Sequence, residues 1–201
     1  AGLDARFGVW KSPVLKLTQF DAVTEEGVAV VTARYEMPQV KGVLTMTYRI
    51  NGAGEVSVAE QLEAGDAEAP GMFRFGMTMA MPARYSEIVY YGRGAHENYC
   101  DRLSSADLGL YSQKVADQYH DEYVRPQESG TKSDLRWWSV VDSSGSGLVI
   151  LSEAPFSASA LPYATEALDV TNFPPQQHSG PLRSGDRTYV NFDLRQMGLG
   201  C

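Results

Sequence analysis

The sequence predicts an all-β fold, a large antiparallel β-sandwich, and three observations carry that prediction. Apolar and polar residues alternate with period two through most of the chain. Turn-forming glycine, asparagine and serine clusters separate the alternating runs. Helical periodicity is sparse.

The strands are read in order along the chain. VAVVTARYE is rich in β-branched residues and reads as a strand. In VLTMTYRI, Leu44, Met46, Tyr48 and Ile50 share one face, and Thr45, Thr47 and Arg49 the other. NGAG, residues 51–54, separates this run from EVSVAEQL and signals a hairpin. The polar stretch 63–71, EAGDAEAPG, is too short and too closely bracketed by strands to separate domains. In MFRFGMTM, Phe73, Phe75, Met77 and Met79 alternate with Arg74, Gly76 and Thr78. LRWWSVV and LVIL flank the turn SSGSG, residues 143–147. A further turn at RSGD, 183–186, precedes TYVNFDL, where Val190, Phe192 and Leu194 alternate. LSSADLGLYSQKVADQY holds a turn or two of helix, PYATEALDV one more, and FPPQQHSGP is a loop. The expectation is one β-sandwich domain over residues 1–201, with no internal repeat. The abrupt start at Ala1 and the stop after QMGLGC lead us to expect a fragment of a bigger chain, with sheet edges left unpaired.

Composition narrows the function classes. A hydrophobic fraction of 43% and a charged fraction of 21% fit a cored globular protein rather than a disordered one. The net charge of −8 comes from scattered acids, which repel polyanions, so nucleic acid is excluded as an expected partner. No apolar stretch is long enough to cross a bilayer, and AGLDARFGVW has no secretory pattern, so no membrane partner is expected. Cys100 and Cys201 form no disulfide framework and no zinc signature.

Two polar clusters are the candidate sites. In GAHENYCDR, residues 94–102, a metal site would use His96, Cys100 and Asp101, but zinc needs three or four ligands and the glycines oppose the helix that their spacing requires. Cys100 beside His96 lacks any cysteine-enzyme signature. The structural reading is that Glu97, Asp101 and Arg102 bond to each other and to loop backbone, fixing the loop. In YHDEYVRPQESGTKSDLRWW, residues 119–138, Arg125, Glu128 and Arg136 are interleaved with Tyr119, Tyr123, Trp137 and Trp138. Rings that stack on sugar C–H faces and acids that accept hydroxyl protons are the materials of a carbohydrate site. The competing reading puts one of the adjacent tryptophans in the core and the other outside. Glu97 and Glu128 as a glycosidase acid pair, or His120 or His178 with Glu128 as an epimerase pair, lack a separation that sequence could supply. The candidate carbohydrate-facing or loop-fixing residues are therefore Glu97, Arg102, Arg125, Glu128, Trp137 and Trp138, with no catalytic residue and no metal ligand among them.

Four stretches in order, YYGRGAHENYCDRLSSADLGLY, YVRPQESGTKSDLRWW, LPYATEALDVTNFPPQQHSG and VNFDLRQMGLG, resemble the C-terminal domain of the large bacterial β-galactosidases of glycoside hydrolase family 2. The resemblance covers about residues 89–200. The family pattern is G-x-G-P-x-E-N-Y-x-D-R, Y-x-x-P-Q-E-N-G and Q-M-G-x-G-G. Here Ala95 replaces the proline, Cys100 fills the variable position and Ser129 replaces the asparagine. Glu97, Asn98, Tyr99, Asp101, Arg102, Arg125, Pro126, Glu128 and Gly130 match the pattern. The resemblance implies a galactose-mutarotase-like supersandwich whose matched residues are architectural. It implies catalytic glutamates on a TIM-barrel domain of the parent enzyme, which hydrolyses terminal β-galactosides by a retaining mechanism. It also implies a sugar-lining tryptophan just beyond Q-M-G-x-G-G, which none of Trp10, Trp137 and Trp138 matches. No cofactor is expected in this fragment. The expected partners are the other domains of the parent, in many members a homo-oligomer, together with galactosides. Members occur in the bacterial cytoplasm or periplasm. The alternatives are a stand-alone carbohydrate-binding module and a mutarotase-like sugar epimerase.

Overall fold

The computed structural model describes residues 3–66, 68–123, 128–168 and 182–198. Ten strands, all antiparallel to their neighbours, form two sheets among these residues, as an all-β sandwich sequence requires. The chain divides into two units, Ala1–Met72 and Phe73–Cys201.

The first unit opens with a helix, α1 (Leu3–Lys11), that the strand-dominated reading leaves out. Its apolar residues are spread around the axis, so no one-sided stripe announces it. Trp10 Nε1 donates to the Pro70 carbonyl at 2.6 Å. The sheet is a meander of β1 (Lys16–Glu25), β2 (Val28–Met37), β3 (Gly42–Ile50) and β4 (Val56–Glu63), in that order. Glu26 and Gly27, both with positive φ, close the β1–β2 hairpin, the geometry that matches strand twist. NGAG closes the β3–β4 hairpin as expected, with Asn51 Oδ1 accepting from the Ala53 and Glu55 amides. Leu44, Met46 and Tyr48 face the same side as Tyr35, Ala33 and Val31 across the β2–β3 ladder, so the alternation seen in the sequence sets the sheet's faces.

The second unit holds β5 (Arg74–Pro82), β6 (Glu87–Gly94), β7 (Asp107–Lys114), β8 (Lys132–Val141), β9 (Gly147–Leu161) and β10 (Arg187–Gln196). Their order is β5-β10-β9-β8-β6-β7. The division between units falls just after the polar connection 63–71, which the sequence reading treats as a simple link. The physical reason is pairing: β5 takes β10 as its neighbour and joins the second sheet. The segment expected to hold a turn or two of helix has two single 3-10 turns, Leu103–Ser105 and Val115–Asp117, with the whole of β7 between them. PYATEALDV does contain a short helix, α2 (Thr165–Leu168). SSGSG makes the β8–β9 turn, where Asp142 Oδ1 accepts from the Ser144 and Ser146 amides. Residues 182–186, including RSGD, lead into β10, and the Ala83 amide bonds the Asp186 carbonyl at 3.0 Å. The expected loop FPPQQHSGP lies outside the described residues.

One face of this sheet builds the core. Tyr90 on β6 lies opposite Trp138 on β8, and Ile88 opposite Val140, in successive rungs of that face. All four are fully buried, with Leu135, Phe156, Ala160 and Val190 in the same cluster. The Tyr90 and Trp138 rings stack with centroids 5.4 Å apart. Trp137 alternates to the opposite face and is half-buried, so the tryptophan pair splits as strand geometry dictates.

Candidate functional site

The end of β6 enters a loop, residues 95–102, that is stitched to residues 128–133. Asn98 is the main stitch. It is fully buried and uses its whole amide: Nδ2 donates to the Arg93 and His96 carbonyls at 3.0 and 3.1 Å, and Oδ1 accepts from the Ser133 amide at 3.1 Å and from the Ser133 hydroxyl. Its own amide reaches the Thr131 carbonyl at 2.8 Å. A buried amide with every donor and acceptor matched holds two loops in one geometry.

Glu97 is the second stitch. Its buried carboxylate accepts from Arg102 Nη2 at 2.8 Å, from the Gly130 amide at 2.9 Å and from the Tyr123 hydroxyl. Gly130 sits at φ +77°, and a Cβ there would fall 2.7 Å from the Gln118 carbonyl oxygen, so the turn that aims this amide at Glu97 demands glycine. Arg102 also lies over the Tyr99 ring, 4.7 Å from its centroid. Burial pushes the Tyr99 phenol pKa up, and the charges of Glu128 and Glu97 add to it. Burial also raises the Tyr123 phenol, helped by its bond to Glu97.

Glu128 belongs to a third group anchored on the sheet. Arg74 on β5 forks between two acids: Nη1 meets Glu128 Oε2 at 2.8 Å, and Nε and Nη2 grip Asp193 of β10 at 3.0 and 2.6 Å. Thr131 Oγ1 donates to Glu128 Oε1 at 3.1 Å. Burial raises the Glu128 pKa, against the opposing pull of Arg74 and Thr131. On Arg74 burial acts downward, but the bonds and charges of Asp193 and Glu128 prevail and raise it. Lys132, the first residue of β8, is 2% exposed, and burial depresses its ammonium pKa to about 8 despite the attraction of Glu97. At the β8 bulge, Asp134 takes a positive φ and pairs with Arg136 at 3.0 Å and Arg93 at 3.1 Å, which lower its pKa.

The sequence-predicted residues therefore have distinct places. Glu97 and Arg102 bond directly, and Glu97 also holds the Gly130 amide of the facing loop. Asp101 is exposed and abuts Gly198, where a Cβ would fall 1.9 Å from its carboxyl carbon. The Gly198 amide donates to Cys100 Sγ at 3.0 Å, so the Q-M-G stretch meets the first motif. His96 Nε2 lies 3.3 Å from Ser105 Oγ, and among the described residues no group of three His, Cys, Asp or Glu could hold a metal ion. His120 stacks on Tyr123 with centroids 5.2 Å apart. Trp138 is core and Trp137 faces outward. Arg125 and His178 lie outside the described residues. Sequence reasoning missed Arg74, Asp193, Lys132 and the completeness of the Asn98 network. The E-N-Y run was the one signal for Asn98.

This arrangement defines a class of protein: an antiparallel β-scaffold whose long loops are locked by buried ionic and amide stitches. The side chains of Glu97 and Glu128 are each 5% exposed and already filled with donors, which equips them to brace loops. The sequence matches the "Beta galactosidase small chain" family over residues 4–201, and the chain belongs to that family. It is 33% identical to a β-galactosidase of Priestia megaterium over 155 residues, 77% of this chain and 14% of that protein. It is 33% identical to a β-galactosidase of Lactobacillus delbrueckii subsp. bulgaricus over 178 residues, 89% of this chain and 17% of that protein. A Streptococcus thermophilus β-galactosidase is 31% identical over 205 residues, covering 100% of this chain and 19% of its own length. The chain thus spans less than a fifth of these curated relatives.

Proposed function

We propose that this chain is the accessory, scaffolding part of a β-galactosidase that hydrolyses terminal β-D-galactosides. Both units act as one accessory domain, in line with a family match that runs through both. The glycosidic bond is cut by glutamates elsewhere in the parent enzyme, and this part presents rigid loops to its catalytic domain. The observation that carries the reading is the state of the acids. A retaining glycosidase needs two carboxyl groups about 5–5.5 Å apart, flanking a sugar and open to it. Glu97 holds Arg102, Tyr123 and Gly130, and Glu128 holds Arg74 and Thr131, and both carboxyl groups are buried. Turnover of a chromogenic β-galactoside tests the proposal. The 201-residue chain alone should give no rate above blank, and the parent polypeptide should turn over. Activity in the isolated chain defeats the scaffold reading, and a parent inactive on β-galactosides defeats the assignment of substrate.

A further inference from the structure

On β7, β6, β8 and the first half of β9, the face opposite the core carries an apolar rung where a solvent-facing antiparallel sheet is ordinarily polar. Across β7, β6, β8 and β9, Leu110, Tyr91, Trp137 and Leu151 stand opposite one another in a single rung. The next rung on that face is Ser112, Val89, Ser139 and Val149. Leu108 extends the apolar surface along the edge strand β7. Leu110 is 68% exposed and Leu151 72%, with Val149, Leu108 and Tyr91 also exposed.

The strands themselves explain why this is a patch rather than scattered residues. EIVYY, WWSVV and LVIL read as nearly continuous apolar runs, the pattern of strands covered on both faces. Over these runs the described structure leaves Tyr91, Val149 and Leu151 exposed on the second face. A contiguous exposed apolar area of this kind marks an interaction surface. Its occupant follows from two facts already given. The related β-galactosidases carry more than four-fifths of their length outside the matched part. A second copy of this chain is a poor occupant, because a net charge of −8 sets two copies repelling each other.

We infer that the Leu110–Tyr91–Trp137–Leu151 face is the surface on which the remaining part of the parent β-galactosidase packs. The inference rests on the accessory-domain reading and adds to it the face that makes the contact. Cysteine accessibility tests it. In a Cys100→Ser, Cys201→Ser background, Leu110→Cys and Leu151→Cys are introduced separately into the parent polypeptide and into the 201-residue chain. Ser143→Cys in the β8–β9 turn serves as the exposed reference. In the chain alone, both cysteines should react with a maleimide at the reference rate. In the parent, both should react at least about tenfold more slowly, as groups released only by local opening do, and dilution should not change this. Reference-rate labelling in the parent overturns the inference. Protection lost on dilution assigns the face to a second copy, and protection in the chain alone assigns it to the chain's own residues; either outcome also overturns it. Labelling is read without turnover, so a parent inactive on β-galactosides that still shields these positions sinks the functional reading and leaves this one standing.

Discussion

Replacing Lys132 with methionine tests the energetics of the loop clamp most directly. Lys132 is 2% exposed and its ammonium titrates at about 8 rather than at the ordinary 10.5, with burial as the cause. The fall from 10.5 to about 8 corresponds to roughly 3 kcal/mol at pH 7. The sign follows from proton binding. Between pH 8 and 10.5 the unfolded chain holds a proton on this lysine that the folded chain has released, so stability rises with pH through that window. The penalty for burying this ammonium is fully present below pH 8 and is relieved as pH rises to 10.5. Urea denaturation of the unmodified chain should therefore show a gain of roughly 2 kcal/mol between pH 7 and pH 9.5. Stopping at pH 9.5 matters, because burial raises Tyr90, Tyr99 and Tyr123 in the folded state, and these act in the opposite direction once unfolded tyrosines ionise near 10. Methionine keeps the length and removes the charge. Lys132→Met should flatten that rise and gain up to about 3 kcal/mol at pH 7, less whatever attraction to Glu97 is lost. Arg102 still neutralises Glu97 at 2.8 Å. A variant less stable than its parent at pH 7, or one whose stability still climbs by the same amount, refutes the reasoning.

Five further substitutions probe the remaining stitches and the core, each read by denaturant midpoint at pH 7. Arg74→Ala strands Glu128 and Asp193 as buried charges and should cost about 3 kcal/mol, the lower end for broken buried pairs because Arg74 is itself a third exposed; a loss under 1 kcal/mol contradicts the fork. Gly130→Ala places a Cβ against the Gln118 carbonyl at positive φ and should cost about 1–3 kcal/mol, whereas the same change at Gly145, also at positive φ but with open space around it, costs less. Trp138→Ala should cost about 3–5 kcal/mol and Trp137→Ala much less in the 201-residue chain, since only Trp138 is sealed in the core; equal losses contradict the sidedness of β8.

Much of this architecture is local, and local features are legible in a sequence. Seven of the ten described strands were legible, three from period-two alternation and the others from β-branched and aromatic runs between turn signals, because both cues depend only on immediate neighbours. The NGAG and SSGSG turns were legible for the same reason: their capping bonds span two to four residues. Within the site, the Glu97–Arg102 bond spans five positions and was expected from GAHENYCDR. β7 was obscured because leucine and tyrosine suit a helix as readily as a strand, and only the ladder with β6 chose between them. Arg74 was read as the polar side of an alternating strand. Its partners stand 54 and 119 residues away, and no spacing rule reaches that far. The same holds for Lys132, whose depressed pKa comes from burial that exists only once loops and sheet have closed around it. The sequence by itself determined most of the strands, their faces and the turns between them. Which charges meet inside, and which apolar face stays uncovered in this chain, was decided only by tertiary structure, because both depend on strand order in the sheet.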